Sequence, residues 1–224
     1  MLAQPERNAH NIMDGRALLG TLNADSVPLV IFDPQYRQVL DHMKFGNEGE
    51  RQQERAKLPA MDNACIAEFL KLIEYVLKPS GHLVFWIDKF MLGQGLHLNL
   101  LEFRNYLKMV DLLTWDKGRI GMGKRTRRRC EYALIVQKLP VRVKGVWHAH
   151  DIPDTWYEYA DKSIHPHTKP LILTQELIKT TTKRGDLVVD PCAGSYVTML
   201  AAKVCGREFL GCDLTSPKEL PNDA

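Results

Sequence analysis

The sequence predicts an α/β fold in which strands and helices alternate around a mostly parallel sheet, and three observations carry that expectation. Residues 185–214 (GDLVVDPCAGSYVTMLAAKVCGREFLGCDL) read as strand, loop, helix and second strand within about thirty residues, the span of one mononucleotide-binding βαβ unit. Two runs, 27–32 (VPLVIF) and 187–189 (LVV), are almost wholly apolar, as strands covered on both faces should be, and each stops at Asp-Pro. Between them, helical periodicity gives way repeatedly to short β-branched or aromatic runs, the signature of repeated helix-and-strand steps.

In chain order, a polar arm leads into residues 12–19, a short amphipathic piece with Asp14 near its start. Strand 27–32 tolerates Pro28 near its beginning and delivers Asp33-Pro34-Gln35-Tyr36. Residues 37–59 are polar, charge-mixed and weakly periodic, which predicts a long loop of the kind that is usually functional or disordered. Ile66, Phe69, Leu70, Ile73 and Val76 then fall at helical spacing over 61–77, with Asp62 or Asn63 as the cap and Lys78-Pro79-Ser80-Gly81 as the stop. Strands follow over 82–87, 109–114 and 132–137, with a helix over 95–106. Residues 141–163 hold Trp147, Trp156 and Tyr157 without clear periodicity, and 170–180 form an amphipathic helix with proline in its first turn. In the closing unit, Val197, Leu200, Ala201 and Val204 mark the apolar face of the helix, and strand 208–212 presents Asp213 at its tip.

With 224 residues, 45% hydrophobic and 25% charged, the chain is long enough for one good core, so a single domain over 1–214 with a short tail over 215–224 is expected. No run approaches the ~20 apolar residues of a membrane span, and the opening residues lack the layout of a secretory signal; an intracellular, cytoplasmic protein is expected. Five scattered cysteines without a CxxC pair read as reduced, mainly core thiols. The pairs His148/His150 and His165/His167 have no cysteine or third ligand cluster to complete them, so no metal site is expected.

The loop after strand 187–189 lies where an open α/β sheet places its ligand, and Ala193, Gly194 and Ser195 are small enough for backbone N–H groups to approach one. Its single glycine excludes the GxGxxG dinucleotide pattern, so a ribose compound without a pyrophosphate fits better; Asp213 is suited to both ribose hydroxyls. Asp33 supplies an acceptor carboxylate, Pro34 a carbonyl and Tyr36 a flat ring within four residues, a set able to hold a planar ring bearing an amino group; a β-turn with a partly buried tyrosine is the plainer alternative. The net charge of +3 is too small to imply a polyanion partner by itself, but Lys124, Arg125, Arg127, Arg128 and Arg129 crowd into six residues. They are either a solvated loop or a contact for a phosphate backbone.

Together these pieces resemble the S-adenosylmethionine-dependent DNA amino-methyltransferases in their circularly permuted, beta-type order. Asp33-Pro34-Gln35-Tyr36 is similar to the family's catalytic Asp-Pro-Pro-Tyr, residues 165–170 (HPHTKP) to its His-Pro-x-x-Lys-Pro, and residues 190–195 (DPCAGS) to its Asp-Pro-Phe-x-Gly-Ser-Gly-Thr loop, in the permuted order and over residues 11–214. Gln35 departs from the second proline and Tyr196 from the second glycine. The resemblance implies a Rossmann-like methyltransferase fold, a mostly parallel twisted sheet of about seven strands with helices on both faces. It implies that Asp33 and the Pro34 carbonyl accept the amino hydrogens while Tyr36 stacks on the base. It further implies that S-adenosylmethionine meets Asp14, Asp33, His165, Lys169, Asp190, Pro191, Cys192, Ala193, Gly194, Ser195 and Asp213. DNA is the implied partner, contacted by the basic run and by loops 37–60 and 141–163, and the leading aspartate goes more often with adenine than cytosine. With few base-reading elements, a relaxed target site or a homodimer is expected. Other readings stay open: cytosine amino groups, RNA or protein glutamine as substrate, or an inactive partner of another methyltransferase.

Overall fold

The computed structural model describes residues 4–35, 61–95, 105–121, 125–159 and 169–215. The expected loop 37–60, most of the expected helix 95–106 and the tail from 216 lie outside the described residues, as do Tyr36, Lys124 and His165.

Among the described residues, eight strands form one sheet: β1 (Asn11–Ile12), β2 (Val27–Phe32), β3 (Leu77–Ile87), β4 (Leu107–Asp116), β5 (Cys130–Lys138), β6 (Thr155–Tyr157), β7 (Leu187–Asp190) and β8 (Glu208–Asp213). Their order is β1-β8-β7-β2-β3-β5-β4-β6. All neighbours are parallel except β3/β5 and β4/β5, because β5 alone runs backwards. The sequence placed six strands and implied about seven; the two it did not place are β1 and β6, of two and three residues, too short to leave a periodic signal.

Strand alternation sorts the side chains into two layers. Val30, Phe32, Leu83, Phe85 and Ile87 face a core closed by α1 (Gly15–Leu19), α2 (Asn63–Val76) and Met91 of α3 (Lys89–Gly93). Leu29, Ile31, Val84 and Trp86 face the other way, against α4 (Leu171–Thr181) and α5 (Val197–Val204). Helices thus cover both faces, and α2 buries all five of the residues its periodicity marked. The cap of α2 is Asp62, whose carboxylate accepts from the Cys65 amide. The stop at 78–81 appears as an irregularity inside β3, where Val27 pairs with Leu77 and Leu29 with His82.

Helix α5 is turned relative to the sequence expectation. Val197, Thr198, Ala201 and Ala202 are buried, whereas Leu200 and Val204 are exposed. The pair of alanines lets this side approach the sheet closely, and Thr198 is drawn inward by Asp190, as described below. No described helix is long and apolar enough to cross a membrane. All five cysteines are free; Cys205 and Cys212 are buried and the other three partly so.

Candidate active site

Parallel strands deliver their last residues to one edge of the sheet, and in this chain most of those residues are acids. Asp33 follows β2, Asp88 follows β3, and Asp116, Asp190 and Asp213 end β4, β7 and β8. Because β5 is reversed, its second residue, Glu131, reaches the same edge from the opposite direction. Such a concentration of carboxylates stands only if each has a partner.

Asp33 is partnered by Lys169, whose Nζ lies 2.9 Å from Asp33 Oδ2 and also 2.9 Å from Glu131 Oε2. Lys117 Nζ lies 2.9 Å from the other oxygen, Glu131 Oε1. The Lys169 ammonium rests 5.0 Å from the centre of the buried Trp86 ring, a cation–π contact that helps hold the charge away from bulk water. Burial raises the proton affinity of Asp33; Lys169 pulls it back and Glu131 adds to the rise. Burial would also raise Glu131, but its two lysines outweigh that and hold it at about 2. Burial works against the charge on Lys169, yet Asp33 and Glu131 together keep it protonated well above the usual range. Pro34 is buried and Gln35 exposed, its carbonyl accepting from the Met61 amide at 2.9 Å.

The 190–195 loop is shaped from within by Asp190. Its Oδ1 accepts from the Cys192 amide at 3.1 Å and its Oδ2 from the Thr198 hydroxyl at 2.7 Å, which ties the loop to α5. With 4% of its surface exposed, Asp190 is pushed by burial up to about 7. Gly194 takes a φ of +49° and donates its N–H to Asp213 Oδ2 at 3.1 Å, so the loop and the tip of β8 face each other directly. Pro191 packs against α1 so tightly that a Cβ on Gly15 would collide with its carbonyl oxygen. That contact brings Asp14 to the loop's flank. Asp14 caps α1, accepting from the Arg16 amide at 2.7 Å, and pairs with the Arg16 guanidinium at 2.8 Å, the bond that lowers its pKa most.

Tyr196, at the departure from glycine, adopts the left-handed backbone that the glycine would favour (φ 55°, ψ 24°). Its ring is 3% exposed and packs 4.3 Å from His10 and 6.1 Å from Phe209. Its hydroxyl donates to the Asn11 carbonyl at 3.0 Å, so the side chain serves as a peg for β1.

The structure thus gathers Asp14, Asp33, Lys169, Asp190, Pro191, Cys192, Ala193, Gly194, Ser195 and Asp213 along one edge. The basic run is less uniform than its sequence. Arg128 pairs with Asp88 at 2.7 Å and lies 5.5 Å over Phe90, and Arg129 forks onto Asp116 at 2.7 and 2.8 Å. Arg125 and Arg127 are exposed, with Arg127 Nε donating to the Gly121 carbonyl at 2.7 Å. Glu131 and Lys117 escaped the sequence reading. A glutamate near the head of an otherwise apolar strand was the available signal, but its partner lies 38 residues away.

The profile of the DNA methylase family (N6_N4_Mtase) matches residues 27–217. The type II methyltransferase M.HhaII of Haemophilus parahaemolyticus is 46% identical over 208 residues, covering 92% of this chain and 91% of that protein. Among solved structures, a complex of M1.HpyAVI with SAM aligns at a TM-score of 0.64 and 20% identity over 91% of each chain. The cytosine-N4-specific PvuII DNA methyltransferase aligns at 0.67 and 17%, over 95% of this chain and 83% of that one. At such identities these two likenesses speak to the fold, which is that of the methyltransferases. The family match across the sheet, together with a relative this similar along almost its whole length, establishes that the chain belongs to the DNA methylase family of S-adenosylmethionine-dependent DNA methyltransferases.

Proposed function

We propose that the enzyme methylates the exocyclic amino nitrogen of adenine in DNA, with Asp33, the Pro34 carbonyl and Tyr36 as the catalytic set. The observation that supports this most directly is Asp33 itself, a carboxylate at the end of β2 held by Lys169 at 2.9 Å and flanked by the 190–195 loop. The resemblance of the tetrapeptide, with aspartate at its head, favours adenine over cytosine.

The residues around the loop suit S-adenosylmethionine. The positive-φ turn at Gly194 leaves open space where a side chain would stand, and the acids around it favour a cationic ligand. Asp213 would accept the ribose hydroxyls, the 190–195 loop would meet the methionine part, Asp14 the adenine end, and His165 and Lys169 would flank it. When bound, the cofactor supplies a methyl group made electrophilic by its sulfonium. The protein's own part is orientation. A base flipped out of the duplex would donate one amino hydrogen to Asp33 and the other to the Pro34 carbonyl, with Tyr36 stacked on its ring. Both hydrogen bonds draw the nitrogen lone pair out of ring conjugation and aim it at the methyl carbon. With the cofactor bound, transfer would leave the amino group with a proton to shed, and Asp33, already accepting from that group, would stand in place to receive it.

DNA would be held by Lys124, Arg125 and Arg127 and by loops 37–60 and 141–163. A homodimer would add a second contact surface, readable by analytical ultracentrifugation. Digesting treated DNA to nucleosides and analysing them by mass spectrometry tests the central claim: N6-methyladenine is expected, and N4-methylcytosine in its place overturns the choice of adenine. Asp33→Ala should abolish transfer while calorimetric cofactor affinity stays within a few-fold, since this carboxylate serves the target base. Near-normal turnover in that variant would remove Asp33 from the mechanism.

A further inference from the structure

Asp33, Lys169, Glu131 and Lys117 form a row of alternating charge, each contact 2.9 Å long. The four come from different parts of the chain: the end of β2, the lead into α4, the start of β5 and the turn after β4. None is fully exposed. The side chains of Lys169 and Lys117 keep 15% and 19% of their surface, and those of Glu131 and Asp33 keep 28% and 32%. Partial burial makes each contact stronger than a surface ion pair and leaves each group sensitive to the loss of its neighbour.

An ammonium group with one carboxylate gives it all of its charge. Lys169 instead touches two, at 2.9 Å each, and the second carboxylate is pinned from behind by Lys117, so the charge of Lys169 is divided and its place is fixed from both sides. We propose that Glu131 is a positioning residue for methyl transfer: it shares Lys169 with Asp33 and fixes where that ammonium sits, so that Asp33 is steadied for the amino group without taking the whole of the lysine's charge. The proposal rests on the reading of Asp33 as the acceptor of the target amino group.

The electrostatics of the edge give the role a direction. Among the described residues, the charged and titratable groups around Asp33 are Lys169 from the lead into α4, Glu131 from β5, and Asp190 and Cys192 from the end of β7 and its loop. Glu131 raises the proton affinity of Asp33 and Lys169 lowers it. Loss of the Glu131 charge therefore makes Asp33 more acidic and leaves Lys169 to Asp33 alone. Loss of the Lys169 charge makes Asp33 less acidic.

The experiment is a set of pH–turnover profiles for wild type, Glu131→Gln and Lys169→Gln, with cofactor affinity measured by calorimetry. Glu131→Gln should lower the turnover plateau on the order of ten- to a hundredfold, the scale of a misplaced reacting group. Its acid limb should move to lower pH, and its cofactor affinity should hold. Lys169→Gln should move the limb to higher pH. General damage to the fold would lower the plateau without moving the limbs in opposite directions. A Glu131→Gln enzyme with the wild-type plateau or an unmoved limb overturns the proposal. If Glu131→Gln does not fold, as judged by circular dichroism, Glu131→Asp takes its place. That variant keeps the charge but shortens the reach, so turnover should fall with the limb in place, and wild-type turnover refutes the role. Failure of the underlying reading looks different, because Asp33→Ala, which removes the acceptor altogether, would then remain active whatever Glu131 does.

Discussion

Asp190 shows how far one side chain's setting can depart from water. Its two oxygens are spent on the Cys192 amide and the Thr198 hydroxyl, and no cation among the described residues sits against it. Burial, opposed by those two bonds, raises it from 3.8 to about 7. A carboxyl that holds its proton more tightly in the fold than in the unfolded chain adds stability that is fully present below pH 4 or so and fades as pH rises through about 7. Asp190→Asn should remove that slope, since the amide still accepts from Cys192 and donates to Thr198. Urea unfolding over pH 4 to 8 should show the variant gaining on wild type toward neutrality, by a few kcal/mol at most. Parallel curves for the two proteins would mean that Asp190 titrates like an ordinary aspartate. The same residue explains Thr198, a polar side chain turned inward on α5 where an apolar face was expected.

At the scale of elements, the connection between β4 and β5 divides its cations between structure and solvent. Arg128 completes the environment of Asp88, which caps α3 by accepting from the Phe90 and Met91 amides at 2.9 Å, and Arg129 fastens the turn to Asp116. Arg125 and Arg127 stay exposed, and under the proposed DNA contact they would face the phosphate backbone. Each phosphate contact adds about 0.9 to the magnitude of the salt slope for duplex DNA, so Arg125→Gln with Arg127→Gln should flatten that slope by about 2. Arg128→Gln should instead lower the melting temperature, because a partly buried carboxylate loses its cation. Binding measured from low to moderate salt distinguishes the two effects, and an unchanged slope in the double variant would place DNA elsewhere. How legible an element was in the sequence followed from its burial. The strands 27–32, 187–190 and 208–213 and the helix 63–76 are covered by protein, so their composition announced them. The expected strands 109–114 and 132–137 each extend further at both ends, as β4 (Leu107–Asp116) and β5 (Cys130–Lys138), because pairing along a ladder continues past the apolar stretch. Strands β1 and β6 exist only by pairing with β8 and β4, a tertiary fact with no local periodicity to show for it. The site divided similarly. Asp33, Asp190 and Asp213 stood at strand ends that sequence could place, whereas the Lys169–Glu131–Lys117 row needs the reversal of β5 to bring its members together.

Across the whole molecule, the first strand is laid against the last. Asn11 pairs with Cys212 and Ile12 with Asp213, the Asn11 side chain donates to the Gly211 carbonyl at 2.9 Å, and Met13 N–H donates to the Asp213 carbonyl at 3.0 Å. The strand has a single neighbour, whereas β2 is gripped by β3 and β7. Amide hydrogen exchange should therefore release Asn8 and Met13 well before Val30, by local opening that leaves the central sheet intact. Exchange of all three at one common rate would show that the edge opens only with global unfolding. The pairing also closes a separation of 200 residues, which sets a timetable for a chain emerging from the ribosome. At about 5–20 residues per second, Asn11 waits roughly 10 to 40 s for β8 to be made. A long apolar strand left idle for that interval would invite mispairing; a strand of two residues, one of them asparagine, offers little to pair with, so this rim of the site can safely be the last part assembled.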